Sequence, residues 1–158
     1  MKIGVVSDTH SHELPPQILK DFREVDLIIH AGDFCSLDVL ENFKKLKEVK
    51  GVYGNMDGPD VRQILPRKQI ISCGEFSIGL FHGEGHPEML LKKVQSEFKN
   101  DKVDVIIFGH SHKPMNEKIN GILYFNPGSP NDFVFAPYRS YGILEIDNKI
   151  TAKIIKVK

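Results

Sequence analysis

Five short apolar runs in this chain break off at side chains that carry oxygen or nitrogen donors, each beside a glycine or turn residue, and this repeated ending limits the fold more than any other feature. Residues 2–7 run into Ser7-Asp8-Thr9-His10, residues 25–30 into Ala31-Gly32-Asp33, and residues 49–53 into Gly54-Asn55. Residues 76–81 run into His82-Gly83, and residues 103–108 into Gly109-His110-Ser111-His112. Runs of this length, bounded by turn residues, read as buried strands. Between them, Ile18, Leu19 and Phe22, then Leu37, Leu40, Phe43 and Leu46, then Leu90, Leu91, Val94 and Phe98, share helical faces. Later, Cys73-Gly74-Glu75, Asn120-Gly121 and Asp147-Asn148 signal antiparallel hairpins. Strand and helix alternate early and hairpins dominate late, so the expected fold is α/β: a four-layer α-β-β-α sandwich with two mixed β-sheets, one domain over residues 1–158.

Composition sets the outer limits. A hydrophobic content of 41% in 158 residues suits one compact core. Twenty-one basic and 21 acidic residues cancel, which argues against a protein that tracks extended nucleic acid but leaves room for a small charged substrate. The amino terminus reaches Asp8 too soon for a signal peptide's apolar segment, and no run approaches the roughly 18 apolar residues of a membrane span. The expectation is a soluble cytoplasmic protein. Cys35 and Cys73 form no Cys-x-x-Cys pattern and read as reduced thiols.

In open α/β sheets, ligands bind beyond the carboxyl ends of the strands. There the five endings present Asp8, His10, Asp33, Asn55, His82, His110 and His112, all oxygen or nitrogen donors. Each alone has a duller explanation: Asp8 and Asp33 as helix caps, Asn55 as a turn residue, the His-x-His as exposed loop residues. Five such endings together favour a metal site.

In this order the residues also resemble a family, the calcineurin-like metallophosphoesterases, with their Asp-x-His, Gly-Asp, Gly-Asn, His and Gly-His-x-His pattern from residue 7 to about residue 130. The short length and Asn126-Pro127-Gly128-Ser129 resemble its compact bacterial and archaeal phosphodiesterase branch, which is related to the retromer scaffold subunit. The resemblance implies that Asp8, His10, Asp33 and His112 hold one metal and that Asp33, Asn55, His82 and His110 hold a second, with Asp33 as the bridge. It implies a phosphodiesterase acting on a small phosphoester, in which Asp33, Asn55 and His110 serve catalysis through the metals. Two ions about 3.5 to 4 Å apart can activate a bridging water and polarise a phosphoryl oxygen. Mixed nitrogen and oxygen donors suit manganese, iron, zinc, cobalt or nickel. The competing readings are a noncatalytic interaction scaffold, and a nuclease or phosphomonoesterase on the same fold.

One departure matters. Many relatives continue Gly-Asn with a catalytic histidine, whereas this chain has Met56, whose thioether can neither stabilise the phosphoryl transition state nor protonate the leaving oxygen. His12 and His86 lie in nearby loops and are candidate substitutes, although each also reads as an ordinary loop histidine. Asp57 reads equally as a ligand-orienting group or a turn residue. Asn126 to Pro130 reads as a rigid turn. Residues 133–138, Phe-Val-Phe-Ala-Pro-Tyr, read first as core packing and second as a pocket wall or a contact in a homo-oligomer. Arg139 reads as a surface charge outside the site.

Overall fold

The computed structural model describes residues 1–10 and 13–158. His12 lies outside the described residues. Two five-stranded mixed sheets face each other. The first contains β1 (Lys2–Val6), β2 (Leu27–His30) and β3 (Val49–Gly51), with the late hairpin β9 (Ser140–Ile146) and β10 (Ile150–Lys156), in the order β10-β9-β1-β2-β3. The second contains β4 (Lys68–Cys73), β5 (Phe76–Phe81), β6 (Val105–Ile107), β7 (Met115–Ile119) and β8 (Ile122–Asn126), in the order β4-β5-β6-β8-β7. β1, β2 and β3 run parallel, as do β5, β6 and β8, and each sheet takes antiparallel partners outside these pairs.

Alternation along each strand explains the layers. In β1, Ile3 and Val5 point between the sheets, where they pack with Ile29, Ile78, Leu80, Val105 and Phe125. Val6 points the other way, into a cluster with Ile18 and Phe22 of α1 (Pro16–Phe22) and Leu40 and Phe43 of α2 (Leu37–Lys44). The outer face of the second sheet carries Phe81, Ile106 and Phe108 against Leu90 and Val94 of α4 (Leu90–Glu97). Strands buried on both faces must be apolar at successive positions, and this is why they read as continuous runs. Helices α1, α2 and α4 each bury one face, which completes the fourfold layering.

Three expectations need correction. A short helix, α3 (Pro59–Ile64), follows the Asn55 loop where the sequence reading placed none. With only Val61 buried, it has no periodic stripe to reveal it. The helix expected around Leu90, Leu91, Val94 and Phe98 is entered through a 3-10 turn, Pro87–Met89, and ends at Glu97. Residues 133–138 do not pack in the core: Phe133 and Phe135 are each 77% exposed, on a loop without regular structure. Among the described residues, no helix is long and apolar enough to cross a membrane. Cys35 and Cys73 are both free thiols.

Candidate metal centre

The loops after β1, β2, β3, β5 and β6 meet at one edge of the two sheets, because parallel strands in each sheet send their carboxyl ends the same way. All seven sequence-predicted donors reach this basin. Asp8, Asp33 and His82 are buried, His10, His110 and His112 are half-buried, and Asn55 is exposed.

The loops approach each other closely enough to require glycine. A Cβ on Gly109 would lie 1.9 Å from Ser7 Oγ and 2.6 Å from Asp8 Oδ2, and one on Gly54 would lie 2.2 Å from Asp33 Oδ1. The backbone is also turned sharply at the donors themselves. Asp8, His10, Asp33, His110 and His112 have φ of 56°, 50°, 59°, 71° and 57°, in the left-handed region that Asp and His enter more readily than most side chains. Cross-loop hydrogen bonds hold this conformation: Asp8 N donates to Gly32 O at 2.9 Å, His10 N to Asp33 O at 3.1 Å, and Ser129 Oγ to Asp8 O at 2.8 Å.

Asp8 and Asp33 each spend one carboxylate oxygen on the protein and turn the other toward the imidazoles. Asp8 Oδ2 accepts from Ser7 Oγ at 2.6 Å and from His110 N at 3.1 Å. Its Oδ1 lies 3.3 Å from His112 Nε2, 3.7 Å from His10 Nε2 and 3.8 Å from His82 Nε2. Asp33 Oδ1 accepts from the Met56 amide at 2.8 Å, while its Oδ2 sits 3.3 Å from His82 Nε2 and 3.9 Å from His10 Nε2. Neither aspartate caps a helix, since Ser36 caps α2 and Pro15 stands at the start of α1.

Three imidazoles are oriented in the same fashion, with one nitrogen held by an oxygen of the protein and the other facing the basin. His82 Nδ1 meets Ala31 O at 2.7 Å, His110 Nε2 meets Gly85 O at 2.7 Å, and His112 Nδ1 meets Asp132 Oδ2 at 2.5 Å. The free faces of His82 and His110 each come within 3.0 Å of Asn55 Oδ1, and His10 Nε2 lies 3.1 Å from His112 Nε2. Asp8, His10 and His112, and separately Asp8, Asp33 and His82, have the mutual spacing to hold an ion.

The electrostatics follow from this crowding. Burial opposes charge on Asp8 and Asp33, but His82 and their hydrogen-bond donors outweigh it and hold both carboxyls below the usual range. Burial also opposes charge on His82 and His112, yet the facing carboxylates lift each to about 9. In the metal-free protein, imidazolium protons therefore neutralise the carboxylates. His30, buried behind the site, falls to about 3 through burial. It stays neutral, accepts from Gly32 N through Nδ1 at 3.1 Å, and meets Thr9 Oγ1 through Nε2 at 3.0 Å.

Sequence reasoning missed Asp132, which resembles any acid in a Pro-Asn-Asp turn. Asp57 does not face the basin. Its carboxylate accepts from the amides of Asp33, Gly54 and Cys35 at 2.9, 2.8 and 2.7 Å, so it ties two donor loops together. Asn126 combines a turn with a brace, its Nδ2 donating to Gly109 O at 3.0 Å. His86 is exposed and caps the 3-10 turn by accepting from Glu88 N. Met56 is 60% exposed, and only its amide is committed to Asp33. Arg139 belongs beside the site after all, in the wall of a cavity that His10 and His112 also line.

Two mixed sheets that deliver carboxylates, an amide and imidazoles to one carboxyl edge define an α/β domain with a candidate metal centre. The chain belongs to the calcineurin-like phosphoesterase superfamily, whose domain description matches residues 1–149. It is 39% identical to a probable metallophosphoesterase of Methanocaldococcus jannaschii, covering 100% of this chain and 82% of that protein. It is 31% identical to a phosphodiesterase of the same organism, covering 98% and 99% of the two chains. The crystal structure of zinc-complexed Vps29 from Entamoeba histolytica superposes with a TM-score of 0.76 at 26% identity, covering both chains completely.

Proposed function

We propose that this single-domain chain is a cytoplasmic, metal-dependent phosphodiesterase that hydrolyses small phosphodiesters with water rather than a side chain as nucleophile. The observation that carries this reading is Asp8 Oδ1: it is buried, has no hydrogen-bond partner among the described residues, and faces the Nε2 atoms of His10, His82 and His112. A buried carboxylate oxygen that makes no hydrogen bond and faces three imidazole nitrogens offers a cation the place that imidazolium protons take in the metal-free protein. Asp8, His10, Asp33 and His112 would hold one divalent transition-metal ion, and Asp33, Asn55, His82 and His110 the other. Asp33 Oδ2, between His10 and His82, suits the bridge. When bound, the pair supplies the Lewis acidity that activates water and polarises a phosphoryl oxygen. The protein's part is to fix the donors. Ala31 O, Gly85 O and Asp132 hold three imidazoles in the orientation that leaves a lone pair for the ion.

Asp132 gives this reading a local test. Asp132→Asn keeps an acceptor beside His112 but removes its charge, and a lost outer partner of a ligating histidine typically costs about 10- to 100-fold in metal affinity. Titration against a competing chelator should show that loss with the circular dichroism spectrum unchanged. Wild-type affinity in the variant removes Asp132 from the centre.

Leaving-group chemistry tests the activity itself. With Met56 in place of a proton donor and His86 engaged in its own turn, wild type should hydrolyse diesters with acidic leaving groups and fall off steeply as leaving-group pKa rises. Met56→His should recover part of the 10²- to 10⁴-fold that a general acid typically contributes, on the poor leaving groups only. A flat dependence in wild type places a proton donor elsewhere. No turnover of any phosphoester by the metal-loaded protein favours the second reading, an interaction scaffold, which the likeness to Vps29 supports.

A further inference from the structure

On the His10 and His112 side of the basin lies a cavity of about 810 Å³, within the ordinary size range of small-molecule sites. Leu14 and Pro15 line one part of it, and Phe133, Val134 and Phe135 another. Folding gains nothing from large apolar side chains left in water, and a contiguous group of them marks a place where something binds. The loop that carries them is built to present them. Asp132 Oδ1 accepts from the amides of Val134 and Phe135 at 2.7 and 3.0 Å, and Oδ2 accepts from Ala136 N at 3.1 Å. The same carboxylate holds His112 Nδ1. One side chain thus ties the apolar loop to the donor basin.

The lining also indicates what kind of group fits. The Arg139 guanidinium lies 4.3 Å from the centre of the Phe133 ring, a flat cation-on-ring pair against which another planar group can stack. Among the described lining residues, Glu13 and Asp132 outnumber Arg139 in formal charge, which leaves no surplus positive charge there for a second phosphate. An uncharged ring satisfies both the apolar walls and this charge balance.

We propose that this cavity is the subsite for an uncharged, ring-bearing arm of the phosphodiester, so that substrates with one aromatic ester group are preferred over those with two small ones. This rests on the phosphodiesterase reading above, and the test separates the two. Benzyl 4-nitrophenyl phosphate and methyl 4-nitrophenyl phosphate share a leaving group and differ only in the arm. With metal-loaded wild type, kcat/KM should favour the benzyl ester by roughly 10- to 100-fold, the range expected for burying one aromatic ring. In Phe135→Ser and Phe133→Ser the ratio should collapse toward one with metal content unchanged. Benzylphosphonate and methylphosphonate, titrated calorimetrically, report on the cavity without turnover and should differ by a similar factor.

Equal kcat/KM for the two esters, or a benzyl preference that survives both substitutions, overturns the subsite. If neither ester is hydrolysed, the phosphodiesterase reading falls, and the phosphonates still decide whether the cavity takes a ring. If they bind equally and sedimentation shows a dimer that Phe135→Ser dissolves, the loop is a contact between copies of this chain and the proposal is wrong.

Discussion

Removal of divalent metal should abolish phosphodiester hydrolysis, and manganese, nickel, cobalt, iron or zinc should restore it to differing degrees. The expectation follows because, among the described residues, the basin holds no other source of sufficient positive charge. Asp8 and Asp33 bring negative charge, Asn55 is neutral, and at most the imidazoles offset this with protons. Phosphoryl transfer needs that charge reversed, which two divalent ions accomplish. Because His82 and His112 hold protons up to about 9 in the metal-free protein, uptake of metal displaces protons and should tighten as pH rises toward that value. The measurement is turnover of an activated diester after chelation and stepwise metal addition, with metal per chain determined in parallel. Full activity at trace metal content would eliminate the mechanism, whereas failure with one metal would only exclude that ion.

Asp33→Asn should lower turnover by about 10³-fold or more, since in the proposed two-ion centre several kcal/mol of transition-state charge stabilisation would depend on both ions being held together. The substitution is unusually clean. Asparagine enters the left-handed backbone region as readily as aspartate, so the φ of 59° is tolerated. Its amide oxygen can still accept from Met56 N, the hydrogen bond that fixes the side chain now. What disappears is one negative charge between His10 and His82. Circular dichroism and the melting profile of the metal-free protein should change little, while metal content falls at both sites. Retention of two ions per chain with full activity would assign the bridge elsewhere, and Asp8, common to both groups of three donors, is the natural alternative.

The convergence of the seven candidate donors was readable because each sits where a buried apolar run stops, and a run that must be apolar on both faces stands out from its polar ending. The sheets were readable for the same reason. Helix α3 was not, because six residues with one buried side chain leave no stripe. Asp132 was not, because its role depends on a loop folding back across 20 residues to meet His112, and nothing in a Pro-Asn-Asp turn encodes that distance. The Phe133–Phe135 stretch misled for a different reason. Hydropathy reports what a side chain prefers and is silent on whether the chain lets it have that environment. Asp57 was half legible: its turn position was plain, but the three amides it gathers come from two loops brought together only in the folded chain.

The left-handed backbone at five of the seven donors has an evolutionary consequence. At about 1 kcal/mol each, such residues together cost roughly 5 kcal/mol, comparable to the whole net stability of a marginal domain. Glycine at any of them would relieve strain and delete a candidate ligand in one step. Selection for endurance alone would therefore dismantle the centre before it touched the sheets, and a descendant released from chemistry would gain robustness by letting these positions drift. Five candidate donors held in so awkward a conformation spend folding stability on the geometry of one basin.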